Sequence, residues 1–164
     1  VKLSYFDIDF IKFKNEKDAF TLELKDTFFG LKEKSLYNSG NLLVTIDCEK
    51  KDSTINLNYH IAGYLNTKCE RCLKAIKIDL DATNLEVLKL TGNEELLQEE
   101  NYISANHQVY STYDSIYELI CLNMPTRKLC ENSQAKNQCE LNYQAPKEEK
   151  PIDDRWEVLK KLIK

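Results

Sequence analysis

The stretch T-I-N-L-N-Y-H-I-A-G-Y-L-N-T-K-C-E-R-C-L-K-A-I-K-I-D-L, residues 54–80, decides how this chain folds. Ile55, Leu57, Tyr59, Ile61 and Leu65 recur on one face of an extended chain, and Asn56, Asn58 and His60 take the other. That is the period of a half-buried strand, with His60 on its exposed side. A second strand-like run, with Ile76, Ile78 and Leu80, follows a C-x-x-C formed by Cys69 and Cys72. With Glu70 and Arg71 as a two-residue tip, Cys69 faces Cys72, Leu65 faces Ile76, Gly63 faces Ile78 and Ile61 faces Leu80, so apolar residues meet throughout. Both thiols then lie on the inner face at the hairpin's end. Glu-Arg is a poor tip, because two-residue hairpin turns want positive φ and hence Asn-Gly or Asp-Gly. A metal held by the flanking thiols is the economical way to secure it.

Upstream, Asn38–Asn41 reads as a turn, and Glu49–Ser53 as a charged turn. Between them Leu42, Val44, Ile46 and Cys48 share one strand face, which makes Cys48 a core residue, since a free cysteine behaves as a small hydrophobe. Ala19–Lys25 alternates in the same way, with Phe20, Leu22 and Leu24 inward, and leads to the core anchors Phe28 and Phe29. Phe6–Phe13 alternates only roughly and is expected to be an irregular strand.

Downstream, Asn84–Leu90 reads as a further strand, whose Leu85, Val87, Leu88 and Leu90 suggest a bulge or a shift of face. The glutamate-rich Gly92–Asn101 is expected to be a solvated loop or short surface helix, and His107 has no ligand partner at helical spacing. Asp114–Met124 reads as a helix: Ser115 and Glu118 match a capping box, Ile116, Leu119, Ile120 and Met124 form a stripe, and Pro125 ends it. Cys121 lies beside that stripe and reads as packing. Residues 127–143 show no periodicity and contain Cys130 and Cys139. Residues 144–152 form a charged linker, after which Asp153 or Asp154 caps a terminal helix with Trp156, Leu159, Leu162 and Ile163 on one face.

The 164 residues suit a single domain spanning 1–164, with an apolar fraction of 42% that supports a core and a charged fraction of 30% that opposes a membrane protein. No apolar run approaches the roughly 18 residues of a membrane span, and residues 1–20 lack a hydrophobic block with a cleavage site. The expected compartment is the cytoplasm, where cysteines are more often thiols or metal ligands than disulfides. A net charge of −4 opposes a surface that grips nucleic acid everywhere. The charge is uneven, however. Thr67–Asp79 and Pro125–Cys139 together hold seven cations against three anions, a surplus of +4, which leaves −8 for the remainder. Lys68, Arg71, Lys74, Arg127 and Lys128 thus mark the cysteine-bearing segments as the basic part of an acidic protein.

Cys69, Cys72, Cys130 and Cys139 are the cysteines without a core explanation. Four thiolates in two pairs fit a tetrahedral structural zinc site, whose closed sulfur shell has no water to activate. The plain alternative is four unligated thiols. A redox C-x-x-C fits less well, because thioredoxin-like motifs open a helix whereas strands flank this one. With four glycines in the chain, no Gly-rich phosphate loop, no G-x-S-x-G and no H-E-x-x-H, an enzyme is not expected.

Three segments in order, I-A-G-Y-L-N-T-K-C-E-R-C-L at 61–73, Y-E-L-I-C-L-N-M-P at 117–125 with a cysteine pair after it, and D-D-R-W-E-V-L-K-K-L at 153–162, resemble the bacterial large ribosomal RNA subunit accumulation (YceD-like) family. The resemblance covers about residues 54–164, and the part around Phe28 and Phe29 resembles the Bacteroidota version. By position, Cys69 and Cys72 match the family's first cysteine pair, and Cys130 and Cys139 its variable cysteine-rich segment. Asp154, Arg155 and Trp156 fall at its D-P-R motif, with Asp154 where proline is usual. The resemblance implies a non-enzymatic factor for synthesis, processing or accumulation of 23S ribosomal RNA, with ribosomal RNA or a large-subunit protein as partner. Its rival is a protein-interaction adaptor that docks through Trp156 without touching RNA. The expected fold is α+β: a mainly antiparallel sheet with a tendency to curl toward a barrel, one packed helix, a zinc knuckle at a hairpin end and a C-terminal helix.

Overall fold

Apolar alternation makes most of this chain extended. The computed structural model describes residues 3–13, 16–33, 35–99, 101–106, 108–134 and 139. The linker at 144–152, the terminal helix with Trp156, and His107 lie outside the described residues. In chain order the elements are β1 (Asp7–Asp9), β2 (Lys17–Leu24), α1 (Asp26–Phe29), β3 (Ser39–Lys51), β4 (Thr54–Lys68), β5 (Ala75–Thr91), β6 (Tyr102–Ser104), β7 (Val109–Ser111) and α2 (Tyr113–Asn123). The main sheet has the order β2-β3-β4-β5-β6, antiparallel except for the parallel β5–β6 edge, and β1 pairs with β7 in a separate two-stranded sheet. The α+β class is as expected, but among the described residues β2 and β6 remain the sheet's edges and it does not close into a barrel.

The core follows the alternation. Leu42, Val44, Ile46 and Cys48 of β3, Ile55, Leu57, Tyr59, Ile61 and Leu65 of β4, and Ile76, Ile78, Leu80, Ala82 and Leu88 of β5 are all buried on one face. Over that face lie Phe6, Phe10, Phe28 and Phe29, together with Tyr113, Ile116, Tyr117, Leu119 and Ile120 of α2. Phe6, Phe28 and Tyr113 meet edge-on or tilted with centroids 5.0–5.5 Å apart, the geometry aromatic quadrupoles favour.

The structure corrects several expectations. The tip is not Glu70-Arg71: Lys68 pairs with Ala75, so the loop spans Cys69–Lys74, and Leu65 faces Ile78, Gly63 faces Leu80 and Ile61 faces Ala82. A shift of two residues keeps every side chain on its face, so the apolar pattern cannot distinguish the two registers. Asn38–Asn41 is not a turn, because β3 begins at Ser39. Gly40 is there for close approach, since a Cβ would lie 2.6 Å from Leu65 Cδ2 and 2.8 Å from the Tyr64 carbonyl oxygen. β5 runs unbroken through Asn84–Leu90 with no bulge or change of face, leaving Leu85 and Val87 exposed.

The inward position between them is Glu86, whose carboxylate accepts the Tyr59 hydroxyl at 2.7 Å and the Tyr110 hydroxyl at 2.6 Å, with Ser115 Oγ at 3.3 Å. Burial and the nearby Glu86 charge push both tyrosine hydroxyls well above their usual pKa, so each stays a donor. This clip joins the sheet, β7 and α2. It also removes the expected capping box: α2 starts after Thr112, whose hydroxyl donates to the Phe6 carbonyl at 2.9 Å, while Ser115 turns to Glu86. The short strands β1, β6 and β7, with only three residues each, carry too little alternation to be read from sequence. Gly92–Asn101 holds an exposed 3-10 turn at Leu96–Gln98, as expected of a solvated stretch.

Gly63 has φ of +147°, and a Cβ there would strike the Asn41 carbonyl oxygen on β3. Gly63→Ala is therefore expected to lower the unfolding free energy by roughly 2–4 kcal/mol in denaturant titration. Gly92→Ala, where a Cβ meets nothing within 4 Å, should stay within about 0.5 kcal/mol of the parent.

Candidate metal centre

The loop that closes β4 and β5 is held from within. The Cys69 N–H donates to the Lys74 carbonyl at 2.8 Å, and the Leu73 N–H to the Cys69 carbonyl at 2.9 Å, with Leu73 in the left-handed region at φ 59°. A non-glycine residue there is strained, so the loop is fixed by its surroundings. The second cysteine segment follows α2, which Pro125 prevents from continuing. Cys130 opens a 3-10 turn, Cys130–Asn132, in which Asn132 Oδ1 accepts the Leu129 N–H at 3.1 Å and Ser133 Oγ donates to the Cys130 carbonyl at 2.6 Å.

Backbone bonds bring the two segments together: the Glu70 N–H reaches the Lys128 carbonyl at 2.8 Å, and the Gln134 N–H reaches the Lys77 carbonyl at 3.0 Å. All four sulfur atoms consequently lie within 4.8 Å of one another. Cys69 Sγ is 3.4 Å from Cys139 Sγ, and Cys72 Sγ is 3.4 Å from Cys130 Sγ. A tetrahedral ion with sulfur at about 2.3 Å needs its ligands roughly 3.8 Å apart, which this grouping brackets. Four thiols in this arrangement can hold one soft divalent metal.

Their ionisation is shared unequally. Burial opposes a charge on Cys69, but the N–H groups of Cys72 and Arg71 and the thiols of Cys139 and Cys72 outweigh it and bring its pKa to about 6. The hydrogen bond to Cys72, followed by burial, holds Cys130 up at about 12, and burial raises Cys139. One thiolate at Cys69 thus sits beside the protonated Cys130 and Cys139, whose protons a bound metal would displace. The other two cysteines stand apart: Cys48 is a buried core thiol that burial and the charges of Asp18 and Asp47 push to about 12, and Cys121 packs half-buried on α2.

Two of the five basic residues named from the sequence are engaged between the cysteine segments. Arg71 pairs with Glu131 at 3.5 Å, and Lys128 pairs with Glu70 at 3.3 Å while lying 5.7 Å from the Tyr37 ring centre. Each pair links one cysteine segment to the other. Lys68, Lys74 and Arg127 are exposed. Lys68 and Lys128 line an open hollow of about 560 Å³ beside the loop, with Tyr37, Asn66 and Glu70. Sequence reasoning misses Glu70, Glu131 and Tyr37 as members of the site. In the sequence the two acids are only offsets to the local charge, and nothing local signals a pairing across about 60 residues of chain.

A family model described as Large ribosomal RNA subunit accumulation protein YceD matches residues 57–163, more than half of the chain. No curated protein and no solved structure matches.

Cobalt(II) added to the reduced protein is expected to bind at the four thiols and give the sulfur-to-metal charge-transfer absorption of a tetrahedral thiolate site. Cys130→Ser should weaken that absorption, and Cys121→Ser should leave it unchanged; equal loss in both variants would reject the four-sulfur centre.

Proposed function

Because the chain belongs to the large ribosomal RNA subunit accumulation (YceD) family, we propose that it is a non-enzymatic cytoplasmic factor for the synthesis, processing or accumulation of 23S ribosomal RNA, acting during assembly of the large subunit. Cys69, Cys72, Cys130 and Cys139 hold a structural zinc, and the metal pins two basic segments into one surface that contacts ribosomal RNA or a large-subunit protein. The observation that carries this reading is the meeting of four thiols from segments about 60 residues apart, in the part of the chain where cations are in surplus. Zinc is the metal of choice because its borderline-soft character suits a four-thiolate shell, and that shell leaves no position for water, which supports a structural rather than a catalytic role. No helix among the described residues is long and apolar enough to cross a membrane.

Lys68, Lys74 and Arg127 are the exposed cations we assign to phosphate contact, with Arg71 and Lys128 acting mainly to hold the two segments together through their acidic partners. That same pairing favours a second reading, an adaptor that binds a ribosomal protein and not RNA, since it leaves fewer cations for phosphate. In the family motif, Trp156 is the residue proposed to anchor such a partner.

The purified, tag-free protein should contain about one zinc per chain, and a chelator or Cys69→Ser should lower its melting temperature, because metal binding is coupled to folding. In lysates, the protein should comigrate with large-subunit precursors in a sucrose gradient. Reversing the charge of Lys68, Lys74 and Arg127 should release it and reduce the salt dependence of binding by about 0.7 per lost phosphate contact. Binding that survives both charge reversal and ribonuclease would support the adaptor, and a protein that stays at the top of the gradient would overturn the assembly role.

A further inference from the structure

The two sulfur contacts of 3.4 Å both cross between segments, Cys69 to Cys139 and Cys72 to Cys130. Within each pair one thiol is buried, Cys69 or Cys130, and the other, Cys139 or Cys72, is partly exposed. An exposed sulfur can meet an oxidant, and a buried partner in contact with it can resolve the product before a second oxidation occurs. We propose that the four cysteines are a site of reversible oxidation by hydrogen peroxide, in which Cys69 joins Cys139 and Cys72 joins Cys130 as the metal is released. This inference rests on the metal-centre reading.

The chemistry balances pair by pair. With all four sulfurs held as thiolates by the ion, the exposed one attacks one peroxide oxygen, which breaks the O–O bond, forms a sulfenic acid and releases hydroxide. The buried thiolate then attacks that sulfur, forms the S–S bond and expels a second hydroxide. Two peroxides take four electrons from four thiolates, and four protons convert the hydroxides to water. A disulfide sulfur carries no negative charge and is a poor ligand, so the ion departs.

Which residues are joined decides what oxidation does to the fold. Both disulfides would connect the loop Cys69–Lys74 to the segment of Cys130 and Cys139, the same two pieces that the metal connects. The staple would change its chemistry while the two segments remain joined. A Cys69–Cys72 disulfide would behave oppositely, closing the loop on itself and freeing the second segment. The bonds already spanning the two segments, from Glu70 to Lys128 and from Gln134 to Lys77, hold the cross-segment partners in place for the first outcome. Cys48 serves as an internal control, because it is buried in the sheet and has no sulfur neighbour among the described residues.

The test treats the purified protein with hydrogen peroxide, follows metal release with a chromogenic chelator and maps disulfides by mass spectrometry of unreduced peptides. The free-thiol titre should fall from six to two, with Cys48 and Cys121 remaining reduced, and metal release should track the appearance of Cys69–Cys139 and Cys72–Cys130 linkages. Dithiothreitol with added zinc should restore the starting state. Cys72→Ser should retain the Cys69–Cys139 linkage alone. The oxidised protein should melt well above the reduced, chelated one. A Cys69–Cys72 linkage, over-oxidation to sulfinic acid without disulfides, or an oxidised protein that melts like the chelated one would overturn the inference. Protein purified without metal would count against the zinc reading only, since the same linkages are then expected from the bare thiols.

Discussion

The antiparallel ladder between β4 and β5 runs unbroken from Thr54 opposite Lys89 to Lys68 opposite Ala75, and β3, β6 and the start of α2 are positioned against it. Its side chains alternate strictly, so a slip of one residue would turn Ile55, Leu57, Tyr59, Ile61 and Leu65 into solvent together. That collective cost fixes the register more firmly than any single contact. On one side the ladder receives β3, where Gly63 lets the backbone of Leu42 and Asn41 approach closely. On the other, Glu86 ties it to Tyr110 and to the start of α2. At one end of β4 the Asp52-Ser53 turn, with Asp52 at positive φ, joins it to β3, and its Ser53 carbonyl accepts the Leu90 N–H of β5 at 2.8 Å. At the opposite end the cysteine loop reaches positive φ at Leu73, a residue that does not favour it, and a second segment docks on it through the Glu70 N–H and the Lys128 carbonyl.

Strand positions are legible in the sequence because alternation over thirteen to seventeen residues leaves little ambiguity, and Thr54–Lys68 is the clearest case. Alternation cannot distinguish registers that differ by two, which is why the expected hairpin tip is misplaced while each residue's face is right. Leu85 and Val87 mislead because they are apolar and exposed, a common condition on a sheet's solvent side. Glu86 misleads because a carboxylate facing inward makes sense only once Tyr59 and Tyr110 are known to meet it. The four site cysteines are legible by elimination, since Cys48 falls on a strand's core face and Cys121 beside a helix stripe. The ion pairs around them are not, because Glu70 and Lys128, or Arg71 and Glu131, meet only after the chain has folded.

The second cysteine segment is held by more than its thiols. The Glu70 amide, the Lys77 carbonyl and the Asp79 carboxylate, which accepts Gln134 Nε2 at 2.5 Å, dock it along the start of β5. Exposed ion pairs contribute only about 0–1 kcal/mol each, so the Arg71–Glu131 and Lys128–Glu70 pairs set the alignment of the segments more than their stability. Closure of four thiols on one ion would contribute more, and it would couple binding to folding, because the unfolded chain has no preformed site to offer.

That closure would also change the electrostatics of the surface around the two segments. The two cysteine-bearing segments carry a surplus of +4 by sequence, but four thiolates on a divalent ion bring about −2 with them. Of the cations, Arg71 and Lys128 are already paired, and Lys77 lies over the Tyr64 ring. With phosphate contact assigned to the exposed Lys68, Lys74 and Arg127, three such contacts on single-stranded RNA give a salt slope of only about −2. An attraction of that size at physiological salt would bring a protein to RNA without holding it there, and the acidic remainder would oppose contact elsewhere. Under the proposed function, such a surface would suit one particular place on an assembling particle, where shape or a neighbouring protein adds to a modest electrostatic attraction, better than ribosomal RNA at large.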